Sequence, residues 1–189
     1  ADILIWHSQG FSPRAYVSIA LPLPVGMESR CEILDFEIED GAVDLPALAG
    51  RLNAVLPAGI RVLSAYESAR KVKELTRLQA EVTLEYDGGI PEVAQQALGA
   101  FFARESIVIT KHSKKGDKEV DIKPLLHSLE MTARNQNELR LVCVLSAQNP
   151  GLNPQLLVSA IETYLPEWKP DFARICRMEV LDDGNTPFR

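Results

Sequence analysis

The densest group of chemically versatile side chains lies near the start of the chain, between His7 and Arg14. An imidazole, a hydroxyl, an amide and a guanidinium follow one another there, together with an aromatic ring and a glycine. A guanidinium suits a phosphate or a carboxylate, and glycine lets a ligand approach the backbone closely. We therefore predict a ligand-binding loop that comprises Ser8, Gln9, Gly10, Phe11, Pro13 and Arg14. The competing interpretation is that these polar groups only satisfy the backbone of the loop.

A second loop follows, in which Pro22, Pro24 and Gly26 break an extended segment. Glu28 in this loop is predicted to lie beside Arg14 and to contribute to the same ligand-binding surface. The simpler interpretation is an ion pair that orders the loop. A single carboxylate gives little support for proton transfer, so the sequence identifies no catalytic residue.

A lysine-rich segment surrounds Gly116 and Asp117, a pair that favours the turn of a hairpin. Such a hairpin would present several cations on one projection, where they would contact RNA phosphates. The candidate nucleic-acid-binding residues are Lys111, Lys114, Lys115 and Lys118. The alternative is a solvated hairpin tip, because Glu119 and Asp121 dilute the positive charge.

The cysteines and histidines do not have the spacing of a metal site. Cys31, Cys143 and Cys176 lie far apart, each in an apolar or alternating segment that suits a buried thiol. His127 shares the apolar parity of Leu129, which predicts a core or interface histidine. We expect no metal and no cofactor in this chain.

The overall composition limits the classes of partner. The chain has 189 residues, 46% of them hydrophobic, with a formal net charge of −6 and a pI near 5.2. This charge argues against a surface that coats nucleic acid, and 6% aromatic residues disfavour an RNA-stacking platform. No apolar run approaches the roughly 20 residues that span a bilayer. We expect a cytoplasmic protein without a membrane partner.

The elements that position the first two loops are predicted within an N-terminal lobe, residues 1–75. Residues 32–39 alternate in polarity as a strand does, and Asp44 with Pro46 is typical of the start of a helix. Residues 60–68 are predicted to form a further strand. A charged connector then leads to the next lobe, with the boundary near residue 75.

The C-terminal lobe, residues 76–189, shows a fuller pattern. Alternating segments and amphipathic segments follow one another as β-α-β-β-α-β, with the basic hairpin as an insertion. This order predicts an α+β fold with a ferredoxin-like antiparallel sheet. If both lobes share this plan, the first lobe lacks its first strand and helix. We therefore expect an upstream segment in the native protein.

Two segments of unusual amino-acid sequence resemble segments of a known family. They are His7-Ser-Gln-Gly-Phe-Ser-Pro-Arg14, running on through Leu21-Pro-Leu-Pro-Val-Gly-Met-Glu-Ser29, and Lys114-Lys-Gly-Asp-Lys-Glu-Val-Asp-Ile-Lys-Pro124. Together they resemble the radical-SAM-linked protein family, a domain of unknown function found beside or fused to radical SAM proteins. The resemblance implies an accessory or substrate-binding module that acts with a radical SAM partner, with RNA modification as a candidate setting.

The resemblance also assigns the cofactors. The Cys-x3-Cys-x2-Cys motif of a radical SAM enzyme is absent from the sequence, so the iron-sulfur cluster and SAM are expected only in the partner. Two alternatives to the accessory role stay open. One is an independent enzyme with a site around the His7 to Arg14 loop, and the other is a protein-interaction scaffold that uses exposed sheet edges. The sequence favours a non-catalytic module.

Overall fold

The computed structural model describes residues 3–39, 43–111, 116–148 and 150–189. In these ranges the chain is a mixed α+β protein with three α-helices and several antiparallel sheets. It divides into two compact units. The first comprises residues 1–22 and 33–72 with Arg189, and the second comprises residues 23–32 and 73–188. The predicted domains, 1–75 and 76–189, stay a prediction.

The helices and strands follow in this chain order: β1 (Val17–Ile19), β2 (Glu28–Ser29), β3 (Leu34–Phe36), α1 (Leu45–Asn53), β4 (Arg77–Glu85), α2 (Ala94–Phe102), β5 (Val108–Lys111), β6 (Lys118–Asp121), β7 (Leu126–Ala133), β8 (Glu138–Ser146), α3 (Gln155–Tyr164) and β9 (Phe172–Leu181). Short 3₁₀ turns lie at Val72–Glu74, Lys123–Leu125 and Pro166–Trp168.

The first unit is built on a small antiparallel arrangement. Strands β1 and β3 pair, and single bridges join Ile5 to Ile38 and His7 to Ala15. Helix α1 begins after Asp44 as the sequence predicts, because Asp44 Oδ1 accepts a hydrogen bond from Ala47 N at 3.3 Å. In the described part of this unit, Leu48 is the one apolar side chain that is buried.

The predicted strand over residues 60–68 is wrong. This segment belongs to no strand in the described chain. Its backbone is held instead by the side chain of Asn53, whose Oδ1 accepts from Val62 N at 2.7 Å and whose Nδ2 donates to Val62 O at 3.0 Å. The amide side chain of Asn53 thus satisfies both backbone groups of Val62.

The second unit contains a five-stranded sheet with the order β2-β9-β4-β8-β7. Neighbouring strands are antiparallel, except that β2 runs parallel to β9. The even-numbered residues of β4 are buried, as one buried face requires: Leu78, Ala80, Val82 and Leu84. Strands β7 and β8 form an antiparallel hairpin, and Asn135 Oδ1 accepts from the amides of Asn137 and Glu138 at its turn.

Helices α2 and α3 contribute their apolar sides to the core of this sheet. The buried side chains from the two helices include Leu98, Phe101, Leu157 and Ile161. Asn153 lies just before α3, and its Oδ1 accepts from Gln155 N at 3.0 Å, as a capping side chain does. The opposite face of the sheet is polar, because the strands alternate between the two faces.

Candidate functional site

The loop between His7 and Arg14 is closed at its base by two hydrogen bonds. Ser8 N donates to Arg14 O at 2.9 Å, and Arg14 N donates to Ser8 Oγ at 3.1 Å. The bridge between His7 and Ala15 continues this pairing. The hydroxyl of Ser8 therefore stabilises the loop, as the structural interpretation of this residue predicts.

The tip of the loop is open to solvent. Residues 9–13 are all exposed, and the ring of Phe11 is fully exposed. Gly10 has φ +137°, a conformation that residues with a Cβ rarely adopt, so the turn depends on glycine. The predicted residues Gln9, Gly10, Phe11 and Pro13 thus form the solvent-exposed tip of a loop whose two ends are hydrogen-bonded to each other.

Acidic residues flank the base of this loop, and the sequence analysis did not single them out. His7 Nδ1 lies 3.7 Å from Glu39 Oε1, and Tyr16 Oη donates to Asp35 Oδ2 at 3.2 Å. The charge of Asp35 raises the pKa of the Tyr16 hydroxyl. The period-two pattern of Asp35, Glu37 and Glu39 was the available signal, because it places these side chains on one face.

Glu28 belongs to the second unit, whereas Arg14 belongs to the first. Glu28 lies in β2 opposite Cys176 of β9, and its charge helps to raise the pKa of Arg174. The turn before it has Met27 N donating to Pro24 O at 3.3 Å, with Gly26 at φ +87°. The predicted pairing of Glu28 with Arg14 stays a prediction.

A buried arginine anchors the segment that carries Glu28. Only 8% of Arg177 is exposed, and its Nη1 donates to Glu32 Oε1 at 3.1 Å. Arg30 N also donates to Arg177 O at 2.9 Å. A buried charge needs a partner, so this pair fixes residues 28–32 against β9. The sequence pattern did not indicate this pair, because Arg177 stands between Cys176 and Met178, where alternation predicts a solvent-facing polar residue.

The lysine-rich segment forms the predicted hairpin. Strands β5 and β6 are antiparallel, and Lys111 lies directly opposite Lys118. Both side chains are exposed, and Gly116 has φ +105°. Lys114 and Lys115 lie outside the described residues. The structure therefore brings two of the four candidate lysines together.

The polar face of the five-stranded sheet carries ion pairs. Glu81 accepts from Arg140 Nε at 2.7 Å and lies 3.7 Å from Arg134 Nη1. Arg174 pairs with Glu85, and its Nη2 lies 3.0 Å from Glu138 Oε1. Sheets that bind single-stranded RNA stack bases on aromatic side chains at such central positions. Charged pairs at these positions do not favour that mode of binding.

His127 was predicted to be a core or interface histidine; the core position is wrong because the residue is exposed, and the interface role stays a prediction. A β-bulge between Leu126 and Ser128 shifts the register by one residue and turns His127 outward. Its Nε2 lies 3.0 Å from Ser146 Oγ, and partial burial, with a contribution from Arg77, lowers its pKa. Within the described ranges no three His, Cys, Asp or Glu side chains are grouped as metal ligands. None of the helices described is long and apolar enough to cross a membrane.

Comparison with known proteins gives one match. A family model described as "Uncharacterized protein conserved in bacteria (DUF2344)" matches residues 1–154. This range includes the closed loop, β2 and the lysine hairpin. No curated protein and no solved structure matches the chain.

Proposed function

We propose that this chain, which belongs to the family of uncharacterised proteins conserved in bacteria (DUF2344), is a binding module that recognises a partner through the loop from Ser8 to Arg14. The observation that carries the proposal is the fixed base and exposed tip of this loop, with Phe11 fully exposed. A loop that is already closed loses little conformational entropy when it binds. Exposed aromatic rings are frequent anchors of interfaces.

The expected partner is a radical SAM protein, and the cytoplasm is the expected location. The resemblance of the loop segments to the radical-SAM-linked family supports this choice. The sequence lacks the Cys-x3-Cys-x2-Cys motif, which supports a cluster and SAM in the partner rather than in this chain.

We also propose a ferredoxin-like plan for the second unit. Its strand order β9-β4-β8-β7, with antiparallel neighbours and with α2 and α3 as the connecting helices, supports this assignment. For the first unit we propose the same plan with its first strand and helix supplied by a further segment. The exposed apolar side chains of this unit, among them Leu4, Val17 and Leu34, support that proposal.

The proposed partner is tested with a purified radical SAM protein from the same organism. Binding of the two purified proteins is measured by biolayer interferometry. We expect Phe11→Ser to weaken binding at least about tenfold, as the loss of an anchor side chain does. The matched control is Leu63→Ser, which removes an exposed apolar side chain of the same unit outside the loop.

Two results would contradict the proposal. One is the absence of binding between the wild-type proteins. The other is an equal affinity of the wild type and Phe11→Ser, since the loop would then not contact the partner.

RNA is the second partner to test, because Lys111 and Lys118 lie opposite each other on the exposed hairpin. Binding to total RNA is measured by gel shift at several salt concentrations. We expect the double variant Lys111→Glu/Lys118→Glu to weaken binding and to lower the salt slope by about 1 per lysine. The control Lys73→Glu/Lys169→Glu makes the same change of charge at exposed positions elsewhere. Equal loss in both variants would indicate a general effect of charge.

A further inference from the structure

A groove of about 370 Å³ lies in the second unit between helix α2 and strand β7. The C-terminal half of α2 forms one wall through Gly99, Phe102 and Ala103, and Leu129 and Met131 of β7 form the other. Grooves of this size accommodate several side chains of a ligand. These wall residues are apolar, but Lys123, His127 and Ser128 also line the groove, so polar and apolar groups contribute equally to its surface.

Strand β7 lies at the edge of the sheet, among the strands that the structure describes. Arg134 N donates to Glu138 O at 2.8 Å. In an antiparallel pair every second residue points its backbone N–H and C=O at the neighbouring strand, so Thr132 and Glu130 do so towards β8. The backbone groups of Leu129 and Met131 therefore point away from β8. Gln95 of α2 confirms this direction, because its Nε2 donates to Met131 O at 3.2 Å from outside the sheet. The edge is thus able to bond to a further strand.

Gly99 keeps the groove open. A glycine inside a helix is destabilising relative to alanine, and it needs a compensating reason. Gly99 has no positive φ, and a Cβ at this position would meet no atom of another element within 4 Å. Neither backbone conformation nor close packing accounts for the glycine. A side chain there would extend into the groove.

The charge of the groove indicates which end of a peptide it receives. Lys123 lies just before β7, and its Nζ donates to Phe102 O at 2.7 Å, which leaves two further N–H donors. No Asp or Glu is among the described residues that line the groove. A strand added antiparallel to β7 has its C-terminus next to Lys123. The ammonium group would then bind the terminal carboxylate.

We infer that this groove binds the extended, apolar C-terminus of a partner protein, which adds to the edge of β7 as an antiparallel strand. Main-chain hydrogen bonds to Leu129 and Met131 supply affinity, and the apolar walls select the side chains. The side chain of Gln95 covers one of these carbonyls in the free protein and moves aside. This binding mode gives a site and a ligand to the alternative role of a protein-interaction scaffold that uses an exposed sheet edge. It does not depend on the Ser8 to Arg14 loop, because all residues of the groove lie in the second unit.

The test uses a displayed library of random seven-residue peptides with free C-termini, selected against the full chain. The selected peptides are then synthesised, and their Kd is measured by fluorescence polarisation. We expect apolar C-terminal sequences whose affinity falls at least about tenfold when the carboxylate is amidated. In spectra of the labelled chain, the amides of Leu129 and Met131 should shift most on binding.

The variant Gly99→Leu fills the groove and replaces glycine with a strong helix former. We expect at least about tenfold weaker peptide binding with no loss of thermal stability, which separates a blocked groove from a misfolded protein. The control Ala100→Leu adds the same side chain to an exposed position of α2 that does not line the groove. This control should bind as the wild type does.

Three outcomes would overturn the inference. The library yields no peptide that depends on its free carboxylate, or the selected peptides bind Gly99→Leu as tightly as the wild type. The third outcome is a dimer in sedimentation equilibrium that Gly99→Leu converts to a monomer. That result would assign the groove to a second copy of the chain.

Discussion

The two units use similar strand patterns but bury them to very different extents. Leu84 in β4 and Leu34 in β3 both stand in runs that alternate between apolar and polar residues. Leu84 is completely buried, whereas Leu34 is 51% exposed. The difference is one of neighbours, because β4 has a strand on each side and two helices against its apolar face. Alternation shows which face of a strand is apolar, but not whether anything covers it.

The difference in burial indicates that the two units contribute differently to the stability of the protein. The contiguous core of buried side chains lies in the second unit, and the described part of the first unit buries Leu48 alone among its apolar side chains. We therefore expect the second unit to supply most of the free energy of folding. Among the described residues, the first unit leaves large apolar and aromatic side chains exposed, among them Phe11 at the tip of the loop.

Hydrogen exchange tests this contrast most directly and should show the largest effect. We expect the amides of β4 and β8 to exchange at least about a hundredfold more slowly than those of β1 and β3, after correction for intrinsic rates. Exchange at β1 and β3 requires only local opening of a unit with few buried side chains. Equal protection in the two units would remove the contrast.

Truncation of a core side chain gives the next largest effect. Leu141 of β8 is completely buried, so Leu141→Ala should lower the free energy of unfolding by about 3 kcal/mol. Leu63→Ala in the first unit, where Leu63 is 73% exposed, should change it by less than about 0.5 kcal/mol. Urea denaturation measures both values. Similar losses would show that the first unit buries more than its structure indicates.

Loss of the anchoring ion pair should have a smaller effect. Glu32→Gln removes a carboxylate that accepts a hydrogen bond from the buried guanidinium of Arg177, and we expect a loss of about 2 kcal/mol in urea denaturation. Glu92→Gln removes one exposed carboxylate and serves as the control. An unchanged stability of Glu32→Gln would mean that the contacts of β2 with β9 hold this segment without the pair.

The smallest effect concerns His127 and pH. Its pKa is lowered from 6.5 in the folded chain, so the unfolded chain binds the proton first as pH falls. Stability should therefore decrease as pH falls through 6.5 towards the folded pKa. His127→Gln keeps a partner for Ser146 without the titration, and its Tm should drop less between about pH 7.5 and about pH 5.5. An identical drop in both proteins would assign the pH dependence to other groups.

Prediction from the sequence succeeded where the local structure depends on hydrogen bonds between residues that are close in the chain. Asp44 and Asn153 cap their helices because a short polar side chain reaches amides two or three residues ahead. The hairpin of β7 and β8 follows from Asn135, whose side chain bonds within its own turn. Ser8 closes the loop from His7 to Arg14 through residues six positions apart, while the ligand-binding role predicted for this loop stays a prediction.

Prediction failed where the conformation or orientation of a residue depends on a distant residue or on a shift in strand register. Asn53 binds the backbone of Val62 where a strand was expected over residues 60–68, and the bulge at His127 turns this residue away from the core. The groove beside Gly99 was not visible in the sequence. A helix glycine gives no indication of which strand lies opposite it.

The sequence by itself determined the alternation of the strands, the helix caps, the turns and the closed first loop, because these depend on groups a few bonds apart. Only the tertiary structure decided which apolar faces are covered and which strand lies at the edge of the sheet. It also decided that Arg177 is buried beside Glu32, 145 residues earlier in the chain. Such contacts depend on packing between distant segments, which local propensity does not specify.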